Sequence, residues 1–236
     1  MIPIEESPEE PVLAEGEVPE PKLFRYIVDR IEPLRNRVMT ELLYLTASRV
    51  SEFVTKQSPT DKTTKALGSL VGFNLATYKI PNDTLLIKIP VLKRRGHVKD
   101  KVTGQVRDRL FYKTIAIPSY PIYEPWVVQD ILPWVVKKKD RKMGFDLNRM
   151  TVLGIIKDEF KPYHLDVHPH SLRHFRLSHL SSYYGFGVME LIQTAGWSYK
   201  SGLRSAGLPS GQLDTYLHAN WKDQMKLLLV PLEGII

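Results

Sequence analysis

The sequence predicts a mostly helical α+β domain with one small antiparallel sheet. From Lys22 onward, apolar residues recur at helical spacing over most of the chain. Two runs differ from this pattern, residues 84–93 (TLLIKIPVLK) and 109–118 (RLFYKTIAIP). Apolar residues alternate along both runs, which are rich in β-branched and aromatic residues, as is typical of a hairpin. Residues 1–21 are rich in proline and glutamate and poor in large apolar residues, so we expect a disordered acidic tail there.

The predicted elements follow one another in a simple order. Two helices are expected first, over residues 23–31 and, after Pro33, 34–54. A short strand near residues 72–78 would complete the sheet, and the basic segment 94–106 would form a long loop at the tip of the hairpin. The remaining predicted segments are a helix interrupted by Pro133 and closed by the basic run 137–142, a helix over 147–160, a helix from about residue 168, a short helix ending at Gly196, a flexible connector over 198–211 and a C-terminal tail over 219–236.

Charge is distributed unevenly along the chain. The formal net charge is +7, from 33 Lys and Arg against 26 Asp and Glu. Seven of the acidic residues are glutamates within residues 1–21, which contain no Lys or Arg, so the rest of the chain has 33 basic and 19 acidic residues, a net +14. A body with this excess of positive charge attracts polyanions such as nucleic acids, although many other soluble proteins are also basic.

Composition excludes several classes of protein. No apolar run approaches the roughly 18 to 20 residues of a membrane span, and the acidic N-terminus is unlike a secretory signal. The lack of cysteine excludes disulfides, thiolate catalysis and Cys-ligated zinc, and fits a reducing cytoplasm. There is no phosphate-binding loop of the nucleotide hydrolases, and His168, His170 and His174 lack the spacing of a zinc site, so we expect neither a metal nor another cofactor.

One stretch, VHPHSLRHFRLSHL at residues 167–180, combines the features of an anion site. Pro169 and Ser171 favour the start of a helix. His170 and Arg173 are three residues apart, which places both on one face of its first turn, where backbone N–H groups also point outward. A fixed cation, an imidazole and a helix N-terminus can together hold a phosphate. An ordinary surface helix with polar residues is the alternative interpretation.

Four short segments resemble, in the same order, the sequence boxes of tyrosine recombinases. TASRVSE (46–52) resembles the TGLRVSE box, and PHSLRH (169–174) resembles the H-x-L-R-H box. AGWS (195–198) and DTYLH (214–218) resemble the GHS or GWS element and the Y-x-H element. A basic hairpin lies between the first two boxes, as in that family. The resemblance implies that residues 22–236 form a tyrosine recombinase catalytic domain with the fold of that domain.

The resemblance also implies a chemistry. A tyrosine hydroxyl attacks a DNA phosphodiester and forms a 3′-phosphotyrosyl enzyme with a free 5′-hydroxyl, and another strand end then reverses the step. Fixed cations stabilise the charge that the phosphorus group gains in the transition state. By resemblance, Arg49 and Arg173 clamp the phosphate, His170 accepts or orients the proton of the nucleophile, Lys93 protonates the leaving 5′-oxygen, Trp197 holds a phosphate oxygen, Tyr216 is the nucleophile, and Glu52 orients the Arg49 region.

Three of these roles have competitors within the sequence. Lys93 competes with other hairpin cations, of which Arg94, Arg95, Lys99 and Lys101 are predicted to face DNA. Trp197 is alternatively a core residue, and we expect His174 to be structural. Tyr216 competes with Tyr183, Tyr184 and Tyr199, because eighteen residues separate it from Trp197, more than is usual in the family. The glycine-rich connector 198–211 supplies that length and would let its tyrosine move, even into the site of a neighbouring subunit.

The function that follows is site-specific recombination of double-stranded DNA, as the integrase of a virus or of an archaeal mobile element. Exchange between two duplexes implies a homo-tetramer on DNA, located in the cytoplasm or, for a virus, in that of its host. Family members usually have a helical core-binding domain ahead of the catalytic one, whereas here the acidic tail precedes Lys22. Two alternatives therefore stay open: a type IB topoisomerase-like enzyme and a non-catalytic DNA-binding relic of the fold.

Overall fold

Helices and two small sheets alternate along the chain. The computed structural model describes residues 18–56, 77–79, 84–99, 103–118, 126–137, 145–197 and 227–228. The helices are α1 (Pro21–Val28), α2 (Leu34–Leu45), α3 (Val50–Phe53), α4 (Leu132–Lys137, directly after a π-helical segment Val127–Ile131), α5 (Arg149–Phe160), α6 (Pro169–Ser182) and α7 (Val188–Ala195). The strands are β1 (Val54–Lys56), β2 (Thr77–Lys79), β3 (Thr84–Lys99), β4 (Val106–Pro118) and β5 (Phe145–Asn148). The predicted fold class, mostly helical α+β with a small antiparallel sheet, is confirmed.

The antiparallel sheet has the order β2-β3-β4. Its hairpin is longer than the sequence predicted, because β3 and β4 stay paired as far as Lys99 and Val106. The prediction of a loop over residues 94–106 is therefore wrong for most of that segment. The hydrogen bonds between the two strands are made by backbone groups and do not require apolar side chains. The hairpin can therefore extend into a polar sequence that lacks the apolar alternation of a half-buried strand. A second pair, the parallel strands β1 and β5, was not predicted.

The long hairpin contains a bulge on β3. Val91 pairs with Phe111, and the next pair along the ladder joins Arg95 to Leu110. The three intervening residues, 92–94, therefore have no partner in the register of β4. Bulges of this kind bend a strand and redirect its side chains, and they are frequent beside active sites. The bulge contains Lys93, of which the structure describes the backbone.

The predicted single helix over residues 34–54 is in fact two helices joined by a turn. Helix α2 ends at Leu45, and α3 begins at Val50. The turn between them places Ala47 in the left-handed region, with φ of 46°. Glycine usually takes this conformation at a helix C-terminus, and the sequence has alanine there, so the break was not visible. The turn moves Arg49 from the surface of a long helix to the N-terminal end of a short one.

The main core is centred on Phe24 of α1. Its ring lies 4.3 Å from that of Tyr44 on α2, measured between centroids, and 5.9 Å from that of Phe160 on α5. It also contacts Trp126 and Phe175 edge to face. Aromatic contacts of this geometry add to the free energy gained by burial. Helix α1 therefore fixes the positions of α2, α5 and α6 relative to one another.

The two ends of the chain lie against this core differently. Helix α1 begins at Pro21, and Val18 packs against the core, so residues 18–21 of the predicted tail have defined contacts, and residues 1–17 lie outside the described residues. Leu228 is buried in a second cluster with Leu180, Tyr184 and Phe186. The connector over 198–211, and the C-terminal tail apart from residues 227–228, lie outside the described residues. Within the described part, no helix is long and apolar enough to cross a membrane.

A buried histidine connects α6 to both α2 and the start of the chain. Nε2 of His179 donates to the carbonyl oxygen of Pro19 at 2.7 Å, so in the neutral ring Nδ1 accepts from the Tyr44 hydroxyl, also at 2.7 Å. The expectation that His174 is the structural histidine of this helix is wrong, because His174 is exposed. Burial is the main cause that lowers the pKa of His179 to about 4; the charges of Arg176 and Arg25 act in the same direction, and the hydrogen bond to Pro19 opposes them.

We expect His179 to make folding less favourable in acid. Its folded pKa of about 4 lies below the ordinary histidine value of 6.5, so the unfolded chain binds the extra proton first as the pH falls through 6.5. The free energy of unfolding should fall by about 2 kcal/mol between pH 7.5 and pH 5, because each pH unit below the unfolded pKa costs about 1.4 kcal/mol. Urea unfolding of the wild type and of His179→Gln at both pH values measures it, since glutamine keeps both hydrogen-bonding functions without titrating.

The contribution of His179 is the difference between wild type and His179→Gln in the change of unfolding free energy with pH. This difference is needed because protonation of Glu41 changes the stability of both proteins in the opposite direction. Burial, together with the nearby carboxylate of Asp130, raises the pKa of Glu41 to about 10. A raised acid pKa makes the folded state relatively more stable as the pH falls, which offsets the effect of His179 in the wild type. If wild type and His179→Gln lose the same free energy of unfolding between the two pH values, the assignment to His179 is wrong.

Candidate active site

Arg49 is held at the N-terminal end of α3 by Glu52. Its backbone N–H donates to Oε2 of Glu52 at 3.0 Å, and its Nη1 donates to Oε1 at 3.3 Å. The Glu52 side chain is 1% exposed, whereas that of Arg49 is 18% exposed. A buried carboxylate thus fixes a guanidinium that still reaches the surface. Glu52 orients Arg49 in this structure, as the sequence predicted.

The same carboxylate brings the β3 bulge to this point. The backbone N–H of Leu92 donates to Oε1 of Glu52 at 3.3 Å. Lys93, the next residue, therefore has its backbone beside the Arg49–Glu52 pair. Because one glutamate side chain holds both segments, the helix α3 and the hairpin cannot move independently near this site.

Arg173 lies beneath the surface on α6 and joins two other segments. Its side chain is buried, at 2% exposure for the residue. Nη1 donates to the carbonyl oxygen of Ala47 at 2.5 Å, and Nη2 donates to that of Ala195 at 2.8 Å. Ala47 is two residues before Arg49, so the two predicted clamp residues meet in one place. Among the described residues these bonds use two of the five N–H donors of the guanidinium.

A third cation, Lys113, was missed by the sequence analysis. It lies on β4 and is 4% exposed. Its Nζ donates to the carbonyl oxygens of Thr46 at 2.6 Å, Ala47 at 3.2 Å and Thr194 at 2.9 Å. The signal was present in the strand pattern, because period-two alternation places residue 113 on the same face as the buried Ile115 and Ile117.

The carbonyl groups that receive these cations come from helix C-termini. Thr46 and Ala47 follow the end of α2, and Thr194 and Ala195 are the last residues of α7. The last carbonyl groups of a helix have no intrahelical partner, and the C-terminal end of the helix dipole is negative. Lys113 and Arg173 thus donate to buried backbone acceptors at these two helix ends.

Positive charge exceeds negative charge in this cluster. Burial and the positive charge of Arg49, opposed by Glu52, lower the pKa of Arg173 to about 10. Burial, opposed by Glu52 and reinforced by the charges of Arg173 and Arg49, lowers the pKa of Lys113 to about 7. Three cations therefore share one carboxylate among the described residues. Such a cluster attracts an additional anion.

Trp197 closes one side of the cluster. The Cζ atom of Arg173 lies 5.6 Å from the centroid of its ring, within the range of a cation–π contact. Trp197 is 37% exposed, so the alternative assignment as a core residue does not hold. Gly196, before it, ends α7 with φ of 69°. A Cβ there would lie 2.9 Å from Cγ2 of Val91 and 3.2 Å from Cδ of Lys113, so only glycine fits without a shift.

His170 is exposed in the first turn of α6, with Pro169 as the first residue of the helix. The predicted helix start is confirmed: His168 is the N-cap residue, and Oγ of Ser171 accepts from the backbone N–H of His168 at 3.3 Å. Nδ1 of His168 accepts from the backbone N–H of Ser171 at 3.1 Å. The ring of His170 lies 6.3 Å from that of His168. His170 is solvent-facing at the end of α6 that carries Arg173, whose guanidinium is buried.

The other predicted site residues are placed less completely. Tyr216 and Lys101 lie outside the described residues, and the backbones of Arg94 and Arg95 lie in β3. Lys99 is exposed at the far end of β3. Of the competing tyrosines, Tyr184 is buried and lies against Arg176 rather than Arg173, and Tyr199 lies outside the described residues. Within the described ranges, no group of three His, Asp or Glu side chains is close enough to hold a metal ion.

Comparison with known proteins finds similarity in structure but not in sequence. No model of a known protein family matches the sequence, and no curated protein matches it. Among solved structures, the chain is similar to a crystal structure of the XerH site-specific recombinase bound to palindromic difH substrate, a post-cleavage complex. The two are 14% identical, with a TM-score of 0.45, over 83% of this chain and 49% of that chain. The chain thus spans about half the length of that recombinase.

We expect Gly196→Ala to destabilise the protein by about 1 to 3 kcal/mol. Alanine is strained at positive φ, and its methyl group would press on Val91 and Lys113. Gly154→Ala is the matched control, because a Cβ at that position of α5 meets nothing within 4 Å. We expect the control to gain about 0.5 to 1 kcal/mol from helix propensity. Urea unfolding measures both, and equal effects would contradict the crowding at Gly196.

We expect Ala47→Gly to leave stability nearly unchanged, within about 0.5 kcal/mol. Relief of the left-handed strain at Ala47, about 1 to 2 kcal/mol, offsets the lost methyl group and the greater freedom of the unfolded chain. Glycine is also the residue that the TGLRVSE box has at this position. Ala195→Gly removes the same methyl group from a right-handed helix, and we expect it to cost about 1 to 2 kcal/mol. A loss at residue 47 as large as that at 195, measured by thermal unfolding, would contradict the strain.

Proposed function

We propose that this chain cuts and rejoins double-stranded DNA as a site-specific tyrosine recombinase. The hydroxyl oxygen of Tyr216 forms a bond to the DNA phosphorus, and the bond from phosphorus to the 5′-oxygen breaks. The protein is then joined to the 3′-phosphate, and the departing 5′-oxygen receives a proton. Attack by a 5′-hydroxyl of another strand reverses both bonds. The phosphodiester energy is kept in the protein–DNA bond, so the reaction needs no nucleotide cofactor.

The meeting of Arg49 and Arg173 carries this proposal. Arg173 reaches a carbonyl group 126 residues away in the sequence, two positions before Arg49. Both guanidinium groups are fixed by partners within the protein, and the cluster has more positive than negative charge. Preorganised cations of this kind stabilise the negative charge that develops on a phosphate during displacement, because little reorganisation is needed at the moment of reaction.

The surrounding residues fit further steps of the same reaction. Trp197 is exposed against Arg173, and His170 is exposed one helical turn before Arg173 on α6, so we assign their indole N–H and imidazole to a bound phosphate. We assign His170 to the proton of the attacking hydroxyl and Lys93, whose backbone lies beside Glu52, to the leaving 5′-oxygen. Arg94, Arg95, Lys99 and Lys101 would bind the backbone phosphates of the duplex along the hairpin.

The biological setting is part of the proposal. Exchange of strands between two duplexes needs four active subunits, so we propose a homo-tetramer assembled on DNA. DNA integration by a virus or mobile element in the cytoplasm, or in the cytoplasm of its host, is the setting that agrees with a cysteine-free chain whose body carries strong positive charge.

The experiment is trapping of the covalent complex on a pool of nicked duplexes with randomised sequence, from which the short strand fragment that bears the free 5′-hydroxyl diffuses away after cleavage. We expect the wild type to form a protein–DNA adduct that survives denaturation and Tyr216→Phe to form none. Arg49→Lys should slow adduct formation about 10²- to 10³-fold, the usual effect of removing one transition-state donor. Arg35→Lys, at an exposed position of α2, is the matched control and should react at the wild-type rate.

The other outcomes separate the competing functions. An adduct that persists in Tyr216→Phe would transfer the nucleophile's role to another tyrosine. Relaxation of supercoiled plasmid by monomers, without exchange between duplexes, would favour the topoisomerase-like enzyme. Salt-sensitive binding with no adduct would favour a DNA-binding relic, because binding through phosphates depends on salt whether or not cleavage follows.

A further inference from the structure

Lys113 has a hydrogen-bond partner for each of its three N–H groups. A protonated lysine has three donors and no acceptor, and Nζ lies within 3.2 Å of three backbone carbonyl oxygens. The residue is buried among α2, β4 and the end of α7. The ammonium group is therefore occupied within the protein, so it is not available to a phosphate on the surface.

These three bonds join the two sides of the candidate active site. The carbonyl oxygens of Thr46 and Ala47 belong to the turn that leads directly to Arg49, and that of Thr194 belongs to the end of α7, three residues before Trp197. Arg173 crosses the same gap between Ala47 and Ala195. Lys113 and Arg173 thus both connect the turn at residues 46–47 to the end of α7. Lys113 also links these two segments to the hairpin, because it is a residue of β4.

We propose that Lys113 is a positioning residue that sets the distance between the Arg49 side and the Arg173–Trp197 side of the site, without contacting the DNA phosphate. The proposal rests on the proposed function for its effect on cleavage, although the link between the two segments is independent of any activity. It predicts that the charged ammonium group, and not only the volume of the side chain, is needed, because a neutral amine has two N–H donors for three carbonyl acceptors.

The surroundings of Lys113 make its protonation sensitive to pH near neutrality. Burial, together with the charges of Arg173 on α6 and Arg49 and against the effect of Glu52 on α3, lowers its pKa to about 7. Above that pH a growing fraction of the protein would lack the third hydrogen bond. We therefore expect the cleavage rate to fall on the alkaline side, unless bound phosphate offsets the two arginine charges and moves the fall to higher pH.

The test uses the fact that the chain has no cysteine. Lys113→Cys is unfolded in denaturant, its single thiol is alkylated with 2-bromoethylamine, and the protein is refolded. The product carries an aminoethyl thioether, which has the length of lysine and a slightly more acidic ammonium group. Lys157→Cys, treated in the same way, is the matched control, because Lys157 is exposed on α5 and pairs only with Asp166 among the described residues.

We expect unmodified Lys113→Cys to form the DNA adduct at least tenfold more slowly than the wild type at saturating DNA, with unchanged affinity and an unchanged salt dependence of binding. The aminoethylated protein should recover most of the rate, with the alkaline fall displaced to lower pH. Comparison of the pH profiles of the wild type and the aminoethylated protein still decides the matter if unmodified Lys113→Cys does not fold. The control should have the wild-type rate with or without aminoethylation.

Three results would overturn the proposal. One is a wild-type rate in folded, unmodified Lys113→Cys. Another is a rate or pH profile that the ammonium group does not alter. The third is a salt slope reduced by about one in Lys113→Cys, which would place Nζ on a DNA phosphate.

A second measurement separates this proposal from the proposed function. The backbone N–H groups of Thr46, Ala47, Gly196 and Trp197 are hydrogen-bonded within their own turns, so their hydrogen exchange reports the stability of the two segments. We expect faster exchange of these amides in Lys113→Cys and recovery on aminoethylation. If the wild type forms no adduct, the proposed function is wrong while the exchange result still decides the role of Lys113; unchanged exchange in Lys113→Cys would refute that role.

Discussion

The carbonyl groups at the C-terminal ends of α2 and α7 face one another across two buried cations. Burial of either the carbonyl groups or the cations without the other would be unfavourable. Buried carbonyl groups without donors, and buried cations without acceptors, each cost several kcal/mol. Together they form bonds at 2.5 to 3.2 Å. The turn at Thr46–Arg49 therefore takes its shape from α6 and β4, which lie more than 60 residues away in the sequence.

This arrangement offsets the repulsion among the cations of the cluster. Closely spaced guanidinium groups repel one another, and burial adds to the unfavourable free energy. Here Glu52 offsets part of the charge, and the negative ends of two helix dipoles offset more. The remaining excess of positive charge is favourable only when an anion arrives. Binding of a phosphate would then stabilise the folded protein as well as the complex.

The sequence predicted those parts of the molecule whose signals are local. Pro169 marks the first turn of α6, Gly196 marks the end of α7, and the pair Arg49 and Arg173 follows from short boxes around each residue. The break at Ala47 could not be read, because alanine has no preference for the left-handed conformation that the tertiary contacts impose on it. The pairing of β1 with β5 joins segments about 90 residues apart, and both strands are too short to show alternation.

Lys113 and His179 were missed for a different reason. Periodicity indicated that both are buried, but their burial was judged from residue type. Lysine in a hairpin is usually solvated, yet its position in the alternation of β4 places it inside. On α6, the buried residues 172, 175, 176 and 179 follow helical spacing, and His174 lies off that stripe. In both cases periodicity identified the buried residue better than polarity did.

The three-residue bulge of β3 has a geometrical consequence for the hairpin beyond it. Side chains of a strand alternate between two faces, so an insertion of odd length exchanges the faces for every residue that follows. The register of β3 on β4 changes by three between Val91 and Arg95. Removing a single residue from the bulge would make the insertion even in length. Each residue of β3 beyond the bulge would then lie on the face opposite to the one that it now occupies. The number of residues in this segment is thus constrained as strictly as their identity.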